Sequence, residues 1–351
     1  MFSNKLIRLI TTAAVLSGIS LYAALTVDMV DVGYQENAPH SPTGLGTKGL
    51  IYKIGKTEVT NAQYAYFLNQ TDPNGANSIS LYNANMGSDI RGGINFVPGN
   101  PIGTKYTTKN NMGFKPVNFV SAYDAMRFTN WMQNGAEGTA DTEAGVYNIT
   151  QSNIDDNIIS RNPVTGYVLP TINEWYKAAF YDPRTEAEGG PAGDTHYWQY
   201  ANQSDIAPGE AVVDGNGNVI NGPGDFVNWN NGADWNGQDG NVSTVGGIGA
   251  TSFFGASDLT GNVWEWTDTI SLGLFRNIVG GSYDSDSADR LSSELTFRTI
   301  PTLEAANFGF RLGYAYSAKS VPEPSTAGYL AMGFMLLQFV RRVRREHQSM
   351  A

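Results

Sequence analysis

The stretch "SDLTGNVWEWTD", residues 257–268, is unusual because it combines acidic side chains with two tryptophans. A strand that only fills a core has no use for Asp258 and Glu265 so close to Trp264 and Trp266. In a strand that follows the Gly-Asn step, successive side chains point to opposite faces, so both indoles point away from Glu265. The surrounding sequence has to supply the reason for this combination.

Composition predicts a folded, loop-rich protein. The chain has 351 residues, of which 41% are hydrophobic and 12% aromatic, and its 40 glycines are accompanied by many Asn-Gly and Asp-Gly steps. Frequent glycines and Asn-Gly or Asp-Gly steps are typical of short strands joined by turns. Cysteine is absent, so no disulfide can cross-link the fold.

The net charge of the middle of the chain limits the classes of molecule that the protein is expected to bind. Six of the 22 Lys and Arg and two of the 33 Asp and Glu lie outside residues 25–320, which leaves that part with a formal net charge of −15. This excludes nucleic acid and anionic lipid as default partners, whereas an acidic surface suits divalent cations.

The two ends differ from the middle. Residues 1–24 carry two basic residues near the beginning, Lys5 and Arg8, followed by an apolar run and small residues at the end. This pattern predicts a secretory signal peptide; an N-terminal anchor helix is the alternative. Residues 321–346 read "VPEPSTAGYLAMGFMLLQFVRRVRRE" and resemble a PEP-CTERM sorting signal: a Pro-Glu-Pro step, a short apolar helix and a basic end. The resemblance implies transient membrane anchoring and processing by an exosortase-type enzyme, which leaves the domain at the cell surface or outside the cell of a Gram-negative bacterium.

Between the ends the pattern indicates one domain, residues 26–317. Thr60, Ser121 and Thr171 each begin a helical pattern with an apolar stripe, and Gln63 and Glu174 complete capping boxes. The segment "LIYKIGKTEV", residues 50–59, alternates like a strand. Residues 185–250 show no periodicity, which predicts a long loop region that is functional or held by a ligand.

Six motifs in order resemble the formylglycine-generating enzyme, or sulfatase-modifying factor, family. They are "GKTEVTNAQYAYFLN", "PVNFVSAYDAMRFTNWM", "LPTINEWYKAAFYDP", "FFGASDLTGNVWEWTD", "VGGSY" and "NFGFRLG", spread over about residues 50–313. The resemblance implies an irregular, loop-rich α+β fold related to C-type lectins.

The resemblance also implies structural calcium. One site would take the carboxylates of Asp258 and Glu265 with the carbonyls of Gly261 and Val263; solvated acids beside buried indoles are the alternative. Calcium prefers six to eight oxygen ligands of these kinds. A second site would take side chains and carbonyls from the stretch 227–242, namely Asn228, Asp239, Trp229 and Asn241. By contrast, "DGNGN", residues 214–218, predicts a hairpin turn because Val219 stands where a calcium loop needs glycine.

The family's catalytic chemistry is not expected here. Formylglycine-generating enzymes hold copper with two cysteines, and Ser285 and Arg290 occupy those positions. Copper is therefore not expected, because Cu(I) selects thiolates. An iron site like that of related sulfoxide synthases needs three histidines, whereas the domain offers His40 and His196. No catalytic residue is assigned.

Three functions remain open at this stage. The first is an exported, non-catalytic, calcium-stabilised binding module, with an extracellular polysaccharide or an envelope protein as partner. The second is a carbohydrate-binding protein that uses four aromatic residues expected to be exposed, Tyr197, Trp198, Trp229 and Trp235. The third is an oxidoreductase-type enzyme with unrecognised chemistry.

Overall fold

The structure, a computed structural model, describes residues 25–316 except 139, 164 and 223. The predicted signal peptide and sorting signal lie outside these residues. In the described part of the chain the α-helices are α1 (Asn61–Thr71), α2 (Asn85–Ser88), α3 (Ala122–Gln133), α4 (Gln151–Asp155) and α5 (Ile172–Phe180). Short 3₁₀ helices cover Glu186–Glu188, Ala192–Asp194 and Ala288–Leu291. Among these helices none has the length and apolar character that crossing a membrane requires.

The three predicted helix starts are confirmed. Thr60, Ser121 and Thr171 each accept a hydrogen bond from the amide three residues on, and the side chain of that third helical residue accepts one from the backbone amide of the cap residue. These capping boxes satisfy backbone donors that the first turn leaves open. They begin α1, α3 and α5 at the residues where the apolar stripes begin.

The strands are short and form separate sheets. They are β1 (Met29–Val32), β2 (Tyr52–Gly55), β3 (Ile94–Phe96), β4 (Tyr106–Thr108), β5 (Gly166–Val168), β6 (Gly209–Glu210), β7 (Phe226–Val227), β8 (Trp264–Ser271), β9 (Phe275–Val279), β10 (Phe297–Thr299), β11 (Phe308–Gly309) and β12 (Gly313–Ala315). One four-stranded sheet has the order β1-β2-β12-β5 and the other β10-β9-β8-β11. The fold is thus a single mixed domain of helices and sheets, and the predicted strand at 50–59 shortens to β2.

The opening stretch leads into β8, the longest strand. Strand β8 pairs antiparallel with β9 and parallel with β11, so it lies inside its sheet. Trp264 packs against Phe297 and Trp266 against Phe308, with ring centroids 5.0 and 5.3 Å apart. The predicted alternation is confirmed, because both indoles face the large core while Glu265 points to the other face.

The region 185–250 is mostly irregular, as predicted, with β6 and β7 as its parallel pair of strands. The turn predicted at 214–218 is confirmed: Val213 bridges Val219, and the Asp214 amide donates to the Asn218 carbonyl at 2.9 Å. The Asp214 carboxylate accepts from the amides of Asn216 and Asn218, and these hydrogen bonds close the turn.

Candidate functional site

Glu265 is completely buried and is held as an ion pair. Arg311, which follows β11, donates to both of its oxygens, at 2.6 Å from Nε and 2.5 Å from Nη2. The indole N–H of Trp175 on α5 donates to the same carboxylate at 2.7 Å. These donors compensate the buried charge. The expectation that this carboxylate serves as a calcium ligand does not fit these partners, because a guanidinium already occupies both oxygens.

Asp258 has different partners from Glu265. Its backbone lies in the left-handed region at φ 56°, and its Oδ2 accepts from the Gly246 amide at 2.5 Å. Its other carboxyl oxygen, Oδ1, receives no protein hydrogen bond within the described residues. Burial raises the pKa of Asp258. The two acids that the resemblance placed in one site thus have different hydrogen-bond partners.

Glu58, in the strand-to-α1 connection, is the acid that meets Asp258. Its Oε1 accepts from Asn262 Nδ2 at 3.0 Å, whereas Oε2 has no donor among the residues described. The two carboxyl groups lie within hydrogen-bonding reach of each other. Burial, and then the charge of Asp258, raises the pKa of Glu58 well above its usual range. Two buried carboxyl groups this close repel each other when both are ionised, so Glu58 and Asp258 need a shared proton or a cation between them.

These side chains form one buried ionic cluster, made of Glu58, Asp258, Glu265 and Arg311. Arg311 interacts electrostatically with all three acids. With every group ionised the cluster carries two more negative than positive charges, which is the charge that one divalent cation neutralises. Sequence reasoning missed Glu58 and Arg311 as members, although both lie in quoted motifs, because neither is near Asp258 along the chain.

A cavity of about 10 Å³ adjoins the cluster. Asp258 and Asn202 both line it, and the Oδ1 and Nδ2 atoms of Asn202 are buried without protein partners in the described chain. This volume corresponds to about one water-sized sphere. The cavity can therefore hold one water molecule or one ion against oxygens from two distant loops.

The second predicted site is brought together only in part. Asn228 and Asn241 are both buried, and Asn228 Nδ2 donates to the Asn241 carbonyl at 2.9 Å. Asn228 Oδ1 has no partner among described residues. The Trp229 carbonyl, however, accepts from the Gly232 amide at 2.9 Å. Asp239 is exposed, and its carbonyl accepts from Arg91.

The two positions of the family thiols flank one glycine. A Cβ built on Gly281 would lie 3.3 Å from both Ser285 Oγ and the Arg290 carbonyl. Ser285 is buried, and its Oγ accepts from the Ser282 amide at 3.0 Å. Arg290 instead reaches outward to pair with Asp286 at 2.9 Å. A hydroxyl used as a backbone acceptor and an outward guanidinium do not form a copper site.

The histidines and aromatics also find structural partners. His40 Nδ1 lies 2.5 Å from Tyr176 Oη, and its ring stacks on Tyr197, whereas His196 Nδ1 lies 3.3 Å from the Arg184 carbonyl. Burial lowers the pKa of His40. The expectation that four aromatics are exposed is wrong for Tyr197 and Trp235, which are buried. These two rings pack in hydrophobic clusters, whereas Trp198 and Trp229 are half-buried.

The family model described as the sulfatase-modifying factor enzyme 1-like domain matches residues 26–315. Three solved structures are similar, and the first of them, CarF, is 21% identical, with the match covering 83% of this chain and 99% of CarF at a TM-score of 0.46. Treponema denticola variable protein 1 is 17% identical, with the match covering 83% of this chain and 98% of that protein at a TM-score of 0.42. PvdO from Pseudomonas aeruginosa is 15% identical, with the match covering 84% of this chain and 93% of PvdO at a TM-score of 0.42. A search of curated proteins found no significant match.

Proposed function

Because this chain belongs to the family of the sulfatase-modifying factor enzyme 1-like domain, we propose that it is a non-catalytic member that acts by binding. The observation that carries this proposal is the chemistry at residue 285. A buried serine stands at a family thiol position, its Oγ is used by a backbone amide, and the whole sequence lacks cysteine. A soft copper ion has no ligand here that it would prefer.

Turnover of a peptide tests this proposal. The purified domain, supplied with copper and a peptide carrying a sulfatase cysteine motif, is expected to leave the cysteine unchanged in mass spectrometry. The double variant Ser285→Cys, Arg290→Cys is the matched control and is expected to bind Cu(I) that the natural chain does not bind. Formylglycine produced by the natural chain would refute the proposal, and a double variant that binds no copper would show that these are not the thiol positions.

We propose further that a calcium ion stabilises the domain beside Asp258. The described residues contain no group of three or more His, Cys, Asp or Glu placed to hold a metal ion, so most of the six to eight oxygens would have to come from carbonyls and water. Asp258 and Asn202 would hold the ion, because their unpartnered oxygens line the same small cavity. A divalent cation would also balance the excess charge of the ionic cluster. Glu265 would contribute through this charge and not as a ligand, since Arg311 occupies its oxygens.

Export belongs to the same proposal. A signal peptide at 1–24 and a PEP-CTERM signal at 321–346 would carry the domain across the inner membrane, after which an exosortase-type enzyme would process the tail. The cysteine-free sequence agrees with a fold that needs no disulfide for stability outside the cell. An extracellular polysaccharide or an envelope protein is the partner class proposed for the exported domain.

A further inference from the structure

The connection between β10 and β11, residues 300–307, contacts both α3 and β8. The Ala122 amide, in the first turn of α3, donates to the Pro301 carbonyl at 2.9 Å. At the other end of the connection, the Trp264 amide of β8 donates to the Asn307 carbonyl at 2.8 Å. The β10–β11 connection therefore links the start of α3 to the strand that carries both core tryptophans.

The β10–β11 connection buries little apolar surface of its own. Leu303, Ala305 and Ala306 are half-buried and pack against the large core, whereas Ile300 is 50% exposed. Segments with few buried apolar contacts are the ones that open locally while the rest of a fold stays closed. Polar groups therefore contribute a large share of the free energy that holds this connection in place.

Glu304 is the acidic side chain of the β10–β11 connection, and it meets Asp124 of α3. The two carboxyl groups lie within hydrogen-bonding reach of each other. From the other side, Asn83 Nδ2 donates to Glu304 Oε2, which ties the connection to the chain before α2. An ionised carboxylate only accepts hydrogen bonds, so a bond between two carboxyl groups requires a proton on one of them.

Asp124 is buried and has a single nearby cation. Its Oδ2 accepts from the Ser121 amide at 2.9 Å and from Ser121 Oγ at 2.6 Å, as part of the α3 cap. Arg127 Nη1 lies 3.8 Å from Oδ1, but Arg127 Nε donates to Glu143 at 2.7 Å. The side chain that faces Asp124 from α1 is the buried phenol of Tyr64. The positive charge of Arg127 is thus shared between two acids before Glu304 is added.

The surroundings of this acid pair favour a retained proton. Burial, and then the charge of Glu304, raises the pKa of Asp124 to about 7. Burial also raises the pKa of Glu304. The pair therefore keeps a proton at pH values where exposed carboxyl groups, with pKa values near 4, have lost theirs.

We propose that Asp124 and Glu304 form an acid latch, which holds the β10–β11 connection against α3 while the two groups share a proton and releases it when both are ionised. In the open form both carboxyl groups meet water and ionise near pH 4. The closed form binds the proton more tightly, so the latch stabilises it fully below about pH 4, and this contribution is lost as the pH rises to about 7.

Release of the latch would reach the loop that holds Ser285. Asn307 Nδ2 donates to both carboxylate oxygens of Asp284, at 3.0 and 3.1 Å, and Ser282 Oγ donates to the same carboxylate at 2.6 Å. Opening of the connection removes the first of these contacts. The inference is independent of the proposed binding function, because neither acid of the latch belongs to the ionic cluster or to the thiol positions.

Hydrogen exchange of the full-length chain at pH 5 and pH 8, followed by mass spectrometry with a metal chelator present, tests the latch. Protection factors remove the intrinsic effect of pH on exchange. Protection over residues 300–308 is expected to fall at least about tenfold at pH 8, because one linked proton changes the opening constant by up to about tenfold per pH unit. Helix α5 is the reference for opening of the whole domain, and its protection is expected to fall less.

The variant Glu304→Gln identifies the proton. Its amide can donate to ionised Asp124 and still accept from Asn83, so the connection is expected to be as protected at pH 8 as at pH 5. Glu294→Gln is the matched control at an exposed acid in the same part of the chain, and it is expected to keep the natural pH dependence.

Four results would overturn the inference: equal protection of residues 300–308 at both pH values, an equal fall in α5, pH dependence that persists in Glu304→Gln, or its loss in Glu294→Gln. Each of them leaves the peptide test of the proposed function intact.

Discussion

At the scale of single residues, Glu265 is accommodated in the core by three hydrogen bonds and an ion pair. Arg311 supplies two hydrogen bonds and the opposite charge, and Trp175 supplies a third donor. An isolated carboxylate at this depth would instead become protonated or unfold the site. The acid beside the two tryptophans is therefore the anchor at which β8, α5 and the chain after β11 meet.

Replacing Arg311 by Met is expected to cost about 3–5 kcal/mol of unfolding free energy, because it leaves Glu265 buried without its partner. The double variant Glu265→Gln, Arg311→Met is expected to recover part of this loss, since the charge of Glu265 is removed together with its partner, whereas Glu58 and Asp258 still lack the charge of Arg311. Urea denaturation followed by circular dichroism measures both.

Arg290→Met provides the comparison for that loss. Arg290 pairs with Asp286 at the surface, where 46% of the Arg290 side chain and 76% of the Asp286 side chain are exposed. Loss of this pair is expected to lower the free energy of unfolding by less than about 1 kcal/mol. Similar losses for Arg311→Met and Arg290→Met would show that the buried pair does not anchor the core.

At the scale of elements, the helix caps determine where core and site side chains point. The capping box of Thr171 and Glu174 begins α5, and the Ile172 amide donates to Thr269 Oγ1 of β8 at 2.9 Å. Helical geometry then carries Trp175, one turn further, over Glu265. Glu174 also pairs with Arg161 and Lys48, so a single cap residue links α5 to two further segments. These ion pairs hold the pKa of Glu174 at about 2 despite its burial.

Thr171→Ala is expected to reduce stability by about 0.5–2 kcal/mol, since it removes the side-chain acceptor of the cap. Thr150→Ala, which removes the equivalent cap of α4, is expected to cost less, because α4 buries none of its residues and can fray without disturbing the core. Denaturant midpoints of the two variants give the comparison. A larger loss at Thr150 would contradict this account.

At the scale of the whole molecule, a cysteine-free domain with a long irregular region depends on buried polar contacts in place of cross-links. The ionic cluster joins Glu58, before α1, to Asp258 and Glu265 in the β8 region and to Arg311 near the end of the described chain. Its excess negative charge makes the stability of the domain sensitive to cations and to protons. A calcium ion bound only by the folded state would stabilise every segment that the cluster joins.

Calcium at about 100 times its dissociation constant is expected to stabilise the domain by about 2.7 kcal/mol, which raises the melting temperature by about 4–5 °C. Asp258→Asn is expected to abolish the shift. Asn keeps both the left-handed backbone and the acceptor for Gly246, so the variant isolates the charge. Asp286→Asn, at an exposed aspartate, is expected to respond to calcium like the natural chain.

The dependence on pH has a defined sign. Burial raises the pKa values of Glu58 and Asp258, so the folded state binds protons more tightly than the unfolded state. Without metal, these two groups therefore stabilise the fold most at acidic pH, and their contribution falls as pH rises from about 4 through the raised values. Calcium needs the ionised carboxylate, so its melting shift is expected to be larger at pH 8 than at pH 5. An equal shift at both values, or none, would exclude calcium at this cluster.

The sequence alone determined the features that depend on neighbours along the chain. The caps at Thr60, Ser121 and Thr171, the turn at 214–218 and the alternation of Trp264, Glu265 and Trp266 all follow from hydrogen bonds and periodicities within a few residues. The six ordered motifs identified the family, since the order of motifs is itself a property of the chain.

Which charged side chains contact each other depends on the tertiary structure. Glu265 lies 46 positions from Arg311, and Asp258 lies 200 positions from Glu58, so nothing local indicates either pairing. The exposure of Tyr197 and Trp235 was misjudged for the same reason: irregular loops have no periodicity from which a buried face can be read. Burial of charge is compensated by whichever opposite group the fold brings near, and proximity in space is what a linear pattern does not contain.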